Sequence, residues 1–422
     1  MKILWITNIA FPESLELLNG EGELKSSGGW LIGAAESLCK NTDIHLTVAT
    51  VSNQVKDLTR LKGKVIDYYL LPLGKGNTRV NHEYEQFWKQ VKQEVTPDVI
   101  HLHGTEYSHG LAYLEACGAE NVCVSIQGLV SACYYYYYYG LKRSEIRKAI
   151  TPFSTIRGGI IKGYNDFKLR GEVETKTLKS VNHILGRTSW DRERTWAINP
   201  GAQYHYCGET LRSEFYMGDV WRYTNCRAHS IFISQASYPI KGLHMLLKAM
   251  PLVLRKYPDS KIRIAGADIT RSKSWKELWK LSDYGLIVRK LIHKYNLDGI
   301  VHFTGPLDGT EMRKEYLKCN VFVCPSSIEN SPNSLGEAQL LGVPLVASYV
   351  GGIMDMVPDE QCGLLYRFEE TDMLAYKICQ IFENSKDFDN SHMIEVAKNR
   401  HNRDNNTSEL ISIYKHIVNE KV

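Results

Sequence analysis

The stretch Val321–Ala347 reads VFVCPSSIENSPNSLGEAQLLGVPLVA. Its first four residues, Val321–Cys324, form a continuous apolar run of strand length. Pro325 to Pro332 then supplies the proline, serine and asparagine that mark a loop. Asn333 and Ser334 carry the short polar side chains that suit a helix N-cap. A helical segment runs from there to Gly342-Val343-Pro344, where glycine and proline stop it. A second apolar run, Leu345–Ala347, follows at once. Strand, loop, helix and strand, with both strands apolar throughout, make the repeating unit of a parallel sheet covered on both faces.

The same alternation extends in both directions. Ile3–Thr7, Ile44–Val51, Val99–Leu102, Val122–Ile126 and His183–Leu185 read as buried strands in the first half, and Ile231–Ser234, Ile262–Ala265 and Val301–Phe303 in the second. Helical patterns such as Trp30–Cys39, His82–Glu94, Gly242–Lys256 and Glu311–Cys319 lie between them. The right-handed crossover rule makes each series a doubly wound sheet. The polar stretch Asn199–His229 separates the two series, so residues 1–205 and 206–400 are expected to form two Rossmann-like domains with a cleft between them. A last helix, Ser408–Val418 within residues 406–422, can pack on either domain.

Composition bounds the function. The 422 residues, 43% apolar and 23% charged, exclude wholesale disorder and fibrous architectures. A net charge of +4 over this length does not argue for nucleic acid. Ten scattered cysteines contain no C-x-x-C pair, so neither a disulfide framework nor a zinc knuckle is indicated. The apolar start is too short for a signal-peptide core, and no run of about 18 uncharged apolar residues occurs, so the expectation is a reduced, cytoplasmic protein.

Ligands of open parallel sheets bind beyond the carboxyl ends of the strands. After the first strand come Ser26-Ser27-Gly28-Gly29 and a helix, where backbone amides can approach an anionic group; a tight turn explains the pair equally well. The stretch is not G-x-G-x-x-G, which disfavours a dinucleotide oxidoreductase. His103 and Gln127 follow two further strands, and His103 could be a polar contact in the cleft or merely a satisfied histidine. In the second half, Lys241 stands in a strand-to-helix turn, able to neutralise a phosphate while the helix start donates amides. Glu329 lies in the loop after Val321–Cys324 and Glu337 one turn inside the next helix, eight residues on. A nucleoside diphosphate could sit on that first turn with Glu337 accepting from ribose hydroxyls.

With Glu329 and Glu337 in E-x(7)-E spacing, then Gly342-Val343-Pro344-Leu345-Val346-Ala347 and Gly351-Gly352, the sequence resembles the retaining glycosyltransferases of family 4, such as those of bacterial lipopolysaccharide, capsule and exopolysaccharide synthesis. The resemblance takes in Gly28-Gly29, Asp98 to Gly104, Lys241-Gly242, Ile264-Ala265-Gly266 and Val301 to Gly305. It implies the GT-B fold, two Rossmann-like domains facing across a cleft, with the last helix crossing back onto the first. It also implies that Glu337 binds the donor ribose, Glu329 faces the transferred sugar, and Asn333, Ser334 and Leu335 hold the diphosphate through their amides. Lys241 would neutralise the leaving group, His103 would contact the transferred sugar, and Gly28, Gly29, Gln235, Gly305 and Asn330 would line the donor site. The donor would be a UDP- or GDP-sugar, with no metal and no other cofactor. The acceptor would be a glycan or a lipid-linked glycan. Two departures stand out: Gln235 occupies the likely place of an arginine, for which Arg187 could compensate, and Gln127 replaces a histidine. Competing readings are an epimerase or phosphorylase of the same fold, or a non-catalytic nucleotide-sugar-binding scaffold.

One segment is charged locally. Between Leu141 and Ser180 ten basic residues face four acidic ones, a net +6, just after the six tyrosines Tyr134–Tyr139. A solvated helical face accounts for this; so does contact with an anionic membrane surface, which would place the protein peripherally at the inner face of the cell membrane.

Overall fold

The computed structural model describes residues 1–20, 29–73, 83–271 and 279–420. Two compact units emerge. The first comprises Met1–Ala132, Phe167–Leu211 and Arg400–Val422; the second comprises Cys133–Asp166 and Arg212–Asn399. The division differs from a single boundary at 205/206. Cys133–Asp166 groups with the second unit because its polar groups are anchored there. The Thr151 hydroxyl donates to the Leu281 carbonyl at 2.7 Å, the Ile160 amide to the Asp283 carboxylate at 2.8 Å, and the Ser327 hydroxyl to the Tyr136 carbonyl at 2.8 Å. The +6 segment is therefore shared between units rather than belonging to one.

In the first unit the strands are β1 (Lys2–Thr7), β2 (His45–Ser52), β3 (Thr59–Lys62), β4 (Asp67–Pro72), β5 (Val99–His103), β6 (Val122–Ser125), β7 (His183–Gly186) and β8 (Gln203–Tyr206). They lie in the order β3-β4-β2-β1-β5-β6-β7-β8. All pairings are parallel except β3 with β4. The two-residue alternation of a strand sends Leu4 and Ile6 into a core with Trp88 and Tyr113, and Ile3 and Trp5 into another with Leu31, Leu38 and Tyr414. Both faces are buried, which is why these strands read as unbroken apolar runs. The second core contains the final helix, Arg403–Asn419, whose Tyr414 hydroxyl accepts from the Trp5 indole at 2.9 Å.

The second unit holds β9 (Ser230–Ile233), β10 (Lys261–Ile264), β11 (Val301–Phe303), β12 (Val321–Cys324), β13 (Leu345–Ser348) and β14 (Leu364–Tyr366). Their order, β11-β10-β9-β12-β13-β14, is the 3-2-1-4-5-6 order of a dinucleotide-binding sheet, and every pairing is parallel. The direction of winding reverses between β9 and β12. In the first unit it reverses between β1 and β5.

Candidate active site

A doubly wound sheet leaves a crevice where its strand order reverses, because the connections on either side leave in opposite directions. In the second unit the segments leaving β9 and β12 flank that point. The first is Ser234 to Gly242, ending in the 3-10 turn Pro239–Lys241; the second is Pro325 to Pro332. The Ser327 amide donates to the Ile240 carbonyl at 2.8 Å and ties one loop to the other. Only glycine permits the approach at position 242: φ is +69°, and a Cβ there would stand 1.7 Å from the Pro325 carbonyl oxygen.

Local geometry thus brings together two residues 88 apart in the chain. The Lys241 ammonium donates to Glu329 Oε1 at 2.6 Å, and the Ser326 hydroxyl donates to the same oxygen at 2.8 Å. The two charged side chains are 18% and 14% exposed, so the pair is mostly out of water yet still reachable. Burial opposes the Lys241 charge, but the Glu329 carboxylate, with Tyr238 beside it, more than offsets this and holds the ammonium above the ordinary lysine value. Behind the pair, the Glu329 carbonyl accepts from the Gly352 amide at 3.0 Å. Gly351, at φ +54°, makes that turn possible, since a Cβ would lie 1.9 Å from the Glu329 oxygen.

The helix after this loop is Asn333–Leu340, with Pro332 as its N-cap. Asn333 and Ser334 are therefore its first two residues and not its cap. The Leu335 amide, expected to face a diphosphate, donates instead to the Pro332 carbonyl at 2.9 Å. Helix geometry leaves the amides of Asn333 and Ser334 without an intrahelical acceptor. The Tyr316 hydroxyl pins the turn by donating to the Ser334 carbonyl at 2.9 Å. Glu337 is 3% exposed, and Arg212 holds it bidentately, Nε to Oε1 at 2.7 Å and Nη2 to Oε2 at 2.8 Å. Burial raises the Glu337 carboxyl above the usual glutamate range while Arg212 pulls it down. Asn330 is buried beside Glu329; Gln235 is exposed just beyond β9. Gly305 follows β11, two strand spacings (about 10 Å) from β9, with its carbonyl accepting from Gly266 at 2.9 Å.

The remaining expected residues lie in the first unit. Gly28 is outside the described residues, and Gly29 opens the helix Gly29–Cys39. His103 ends β5 and is 6% exposed. Gln127 and Arg187 line a pocket with it. Arg187 is paired with Glu209 and donates to the Ile126 carbonyl, so its charge is matched where it stands. Among the described residues Asp359, Cys362 and His392 could hold a metal ion, their ligand atoms lying within 4.8 Å of one another. They lie on the loop before β14 and the helix Ser391–Arg400.

Residues 227–384 match the family model described as glycosyl transferases group 1. That span holds all six strands of the second sheet, with Lys241, Glu329 and Glu337. Over that span the second unit is similar to the group 1 glycosyl transferases. Among curated proteins, the chain is 25% identical over 187 residues to an uncharacterized glycosyltransferase of Methanocaldococcus jannaschii (44% of each chain). It is 26% identical over 185 residues to the D-inositol 3-phosphate glycosyltransferase of Corynebacterium urealyticum (42% of this chain, 40% of that one). The chain thus spans less than half the length of these relatives. Solved structures match throughout. Sucrose-phosphate synthase of Thermosynechococcus elongatus superposes with a TM-score of 0.68 at 16% identity over 99% of both chains. Anabaena HepE, solved with UDP and glucose, gives 0.62 at 14% identity over 98% of this chain and 99% of its own. These likenesses establish the fold, GT-B, with its two Rossmann-like domains.

Within the second unit, sequence reasoning missed Arg212, Ser326 and Tyr316. Arg212 sits inside the polar connector Asn199–His229, with nothing around it to signal a carboxylate partner 125 residues on. Chemically, the second unit offers two cations, Lys241 and Arg212, each paired with a carboxylate, and a helix start at a strand-order reversal. Such a set can bind a diphosphate and offset the charge that develops when it leaves.

Proposed function

We propose that the chain is a retaining glycosyltransferase that moves a hexosyl group from a UDP- or GDP-sugar to a glycan or lipid-linked acceptor in cell-surface polysaccharide synthesis. The observation that carries the reading is the Lys241–Glu329 pair at the β9–β12 reversal, beside the first turn of Asn333–Leu340. As the glycosidic bond to the diphosphate lengthens, negative charge grows on the leaving oxygen and positive charge on the sugar. Lys241 and the amides of Asn333 and Ser334 are suited to the first, and Glu329 to the second. Glu337, oriented by Arg212, is suited to ribose hydroxyls. The HepE neighbour, solved with UDP and glucose, supports a uridine donor. Lysine and helix amides supply the charge stabilisation for which other transferases use a divalent ion, so the reaction is expected to survive chelation. The test is release of nucleoside diphosphate by the purified chain. Release only when an acceptor is present supports transfer; donor binding without turnover over a broad acceptor panel supports the scaffold reading suggested by Gln235.

Where the acceptor is lipid-linked, the exposed apolar residues Ile150, Phe153, Ile156 and Ile161 are suited to a bilayer surface, with Arg143, Arg147, Arg157 and Lys162 nearby in sequence to attract anionic headgroups. No helix among the described residues is long and apolar enough to cross a membrane. Co-sedimentation with phosphatidylserine vesicles is expected to fall as salt rises. Binding that ignores salt counts against this surface.

A further inference from the structure

Three side chains of mixed donor chemistry meet at the end of the second sheet remote from Lys241 and Glu329. β12, β13 and β14 run parallel, so the loop that carries Glu329 leaves their carboxyl ends, while residues 358–363 enter the amino end of β14. Asp359 and Cys362 stand in that turn, and His392 is the second residue of the helix Ser391–Arg400. One ligand atom from each lies within 4.8 Å of the other two: a carboxylate oxygen, the thiol sulfur and a ring nitrogen.

The turn presets these ligands. Asp359 Oδ1 accepts from the amides of Gln361 at 2.9 Å and Cys362 at 3.0 Å, which fixes the carboxylate and leaves Oδ2 facing His392 Nε2 at 3.0 Å. Behind the turn, the buried Gln339 side-chain amide donates to the carbonyls of Met356 at 2.8 Å and Cys362 at 3.2 Å. Cys362 is itself fully buried, whereas the side chains of Asp359 and His392 are 43% and 42% exposed. The sulfur thus forms the floor of the cluster and the other two its rim, which gives an ion a path in from water. Tetrahedral zinc, with bonds of about 2.0–2.3 Å, sets its ligand atoms roughly 3.3–3.8 Å apart. That spacing falls between the 3.0 Å of the Asp359–His392 contact and the 4.8 Å limit of the set. An ion pair of Asp359 with His392 accounts for the carboxylate and the imidazole, but not for a thiol at ligand distance from both.

We propose that Asp359, Cys362 and His392 bind a divalent transition-metal ion of the zinc type, with water as fourth ligand, and that the ion staples the β13–β14 connection to the helix Ser391–Arg400. Thiolate and imidazole select borderline-soft ions, whereas a hard ion such as Mg²⁺ takes oxygen ligands. On binding, the Cys362 thiol gives its proton to solvent, and the thiolate and carboxylate together balance a dication. The staple links residues 33 apart and closes a loop that contains β14 and the helix Thr371–Asn384. At the amino end of the sheet the ion stands away from the diphosphate chemistry proposed for the carboxyl end. It supplies stability and no step of a transfer, so its binding is independent of the transferase reading.

The test uses the full-length protein, stripped with EDTA, kept reduced by a phosphine and titrated with Co²⁺, then with Zn²⁺. One tightly bound cobalt ion per chain is expected, with a thiolate-to-cobalt charge-transfer band in the near ultraviolet and the intense visible bands of tetrahedral cobalt. Zn²⁺ should displace it and Mg²⁺ should not. Cys362→Ala should abolish the charge-transfer band. His392→Ala, at a partly exposed position, should weaken binding by more than about tenfold, since losing even a partner that merely orients a ligand costs about that much. Zn²⁺ should raise the melting temperature of the wild type and leave that of His392→Ala unmoved. The metal-free melting curves of the proteins are the folding control. A cobalt complex without the sulfur band, a sulfur band that persists in Cys362→Ala, unchanged affinity in folded His392→Ala, or no zinc-dependent melting shift in the wild type overturns the proposal. None of these readouts involves turnover, so failure of the site leaves the transferase reading standing, and absence of turnover leaves the site standing.

Discussion

Arg212 and Glu337 show how a single side chain orients a buried carboxylate. The Glu337 side chain is 4% exposed and Arg212's is 28%, so the pair is sheltered on one side only. Removing the arginine leaves a buried carboxylate that must ionise alone or take up a proton. Arg212→Ala is expected to cost about 2 kcal/mol of stability, read as a lower denaturant midpoint, with most of the loss recovered when Glu337→Gln is added. A coupling below about 0.5 kcal/mol in that double-mutant cycle would contradict the pairing. Lysine at position 212 should not restore the pair, because an ammonium cannot make two parallel bonds to one carboxylate. None of this was legible in the sequence. Glu337 was, because its spacing from Glu329 across a loop and a helix start carries meaning. Arg212, in a connector, has no pattern to betray its partner.

At the scale of elements, buried strands such as β1, β9 and β12 were legible because their apolar runs leave little choice. Those missed were β3, β4, β8 and β14. β3 and β8 are half-exposed edge strands with polar residues, and β14 is only three residues long. The helix after β12 was legible in type but not in its first residue. Asn333 and Ser334 have the side chains of caps, yet Pro332 takes the cap position because its fixed φ suits the approach to a helix. The turn at Gly351 is the element on which Glu329 depends. Gly351→Ala places a methyl group on the Glu329 carbonyl and a Cβ at φ +54°, and is expected to cost about 3 kcal/mol. Activity should fall further than the folded fraction does. A variant with normal stability and turnover would show that the loop does not need its glycine.

Across the whole molecule, buried histidines govern the response to acid. Burial pushes His101 and His244 down to about 3, His109 to about 4 and His401 to about 3. An unfolded histidine titrates near 6.5, so below that pH the unfolded chain binds more protons than the folded one. The stability these groups contribute is whole above about pH 6.5 and drains away as pH falls toward their folded values. At pH 5 each costs roughly 2 kcal/mol. Glu174, raised to about 7 by burial, runs the other way and offsets about one of the four. Urea midpoints should therefore drop steeply between pH 7 and pH 5; a flat profile would contradict the burial of these rings. The fold class was legible at this scale, but the membership of Cys133–Asp166 in the second unit was not, because long-range hydrogen bonds such as Thr151 to Leu281 leave no local trace.

The central claim is that Lys241 stabilises a departing nucleoside diphosphate at the β9–β12 reversal. The most direct measurement is the acceptor-dependent rate of diphosphate release from the preferred nucleotide sugar by the wild-type chain and by Lys241→Ala, each with a matched melting temperature. A fall in kcat of about 10²–10³ is predicted, the size expected when one preorganised electrostatic contact is lost. A folded Lys241→Ala protein that turns over at the wild-type rate would contradict it.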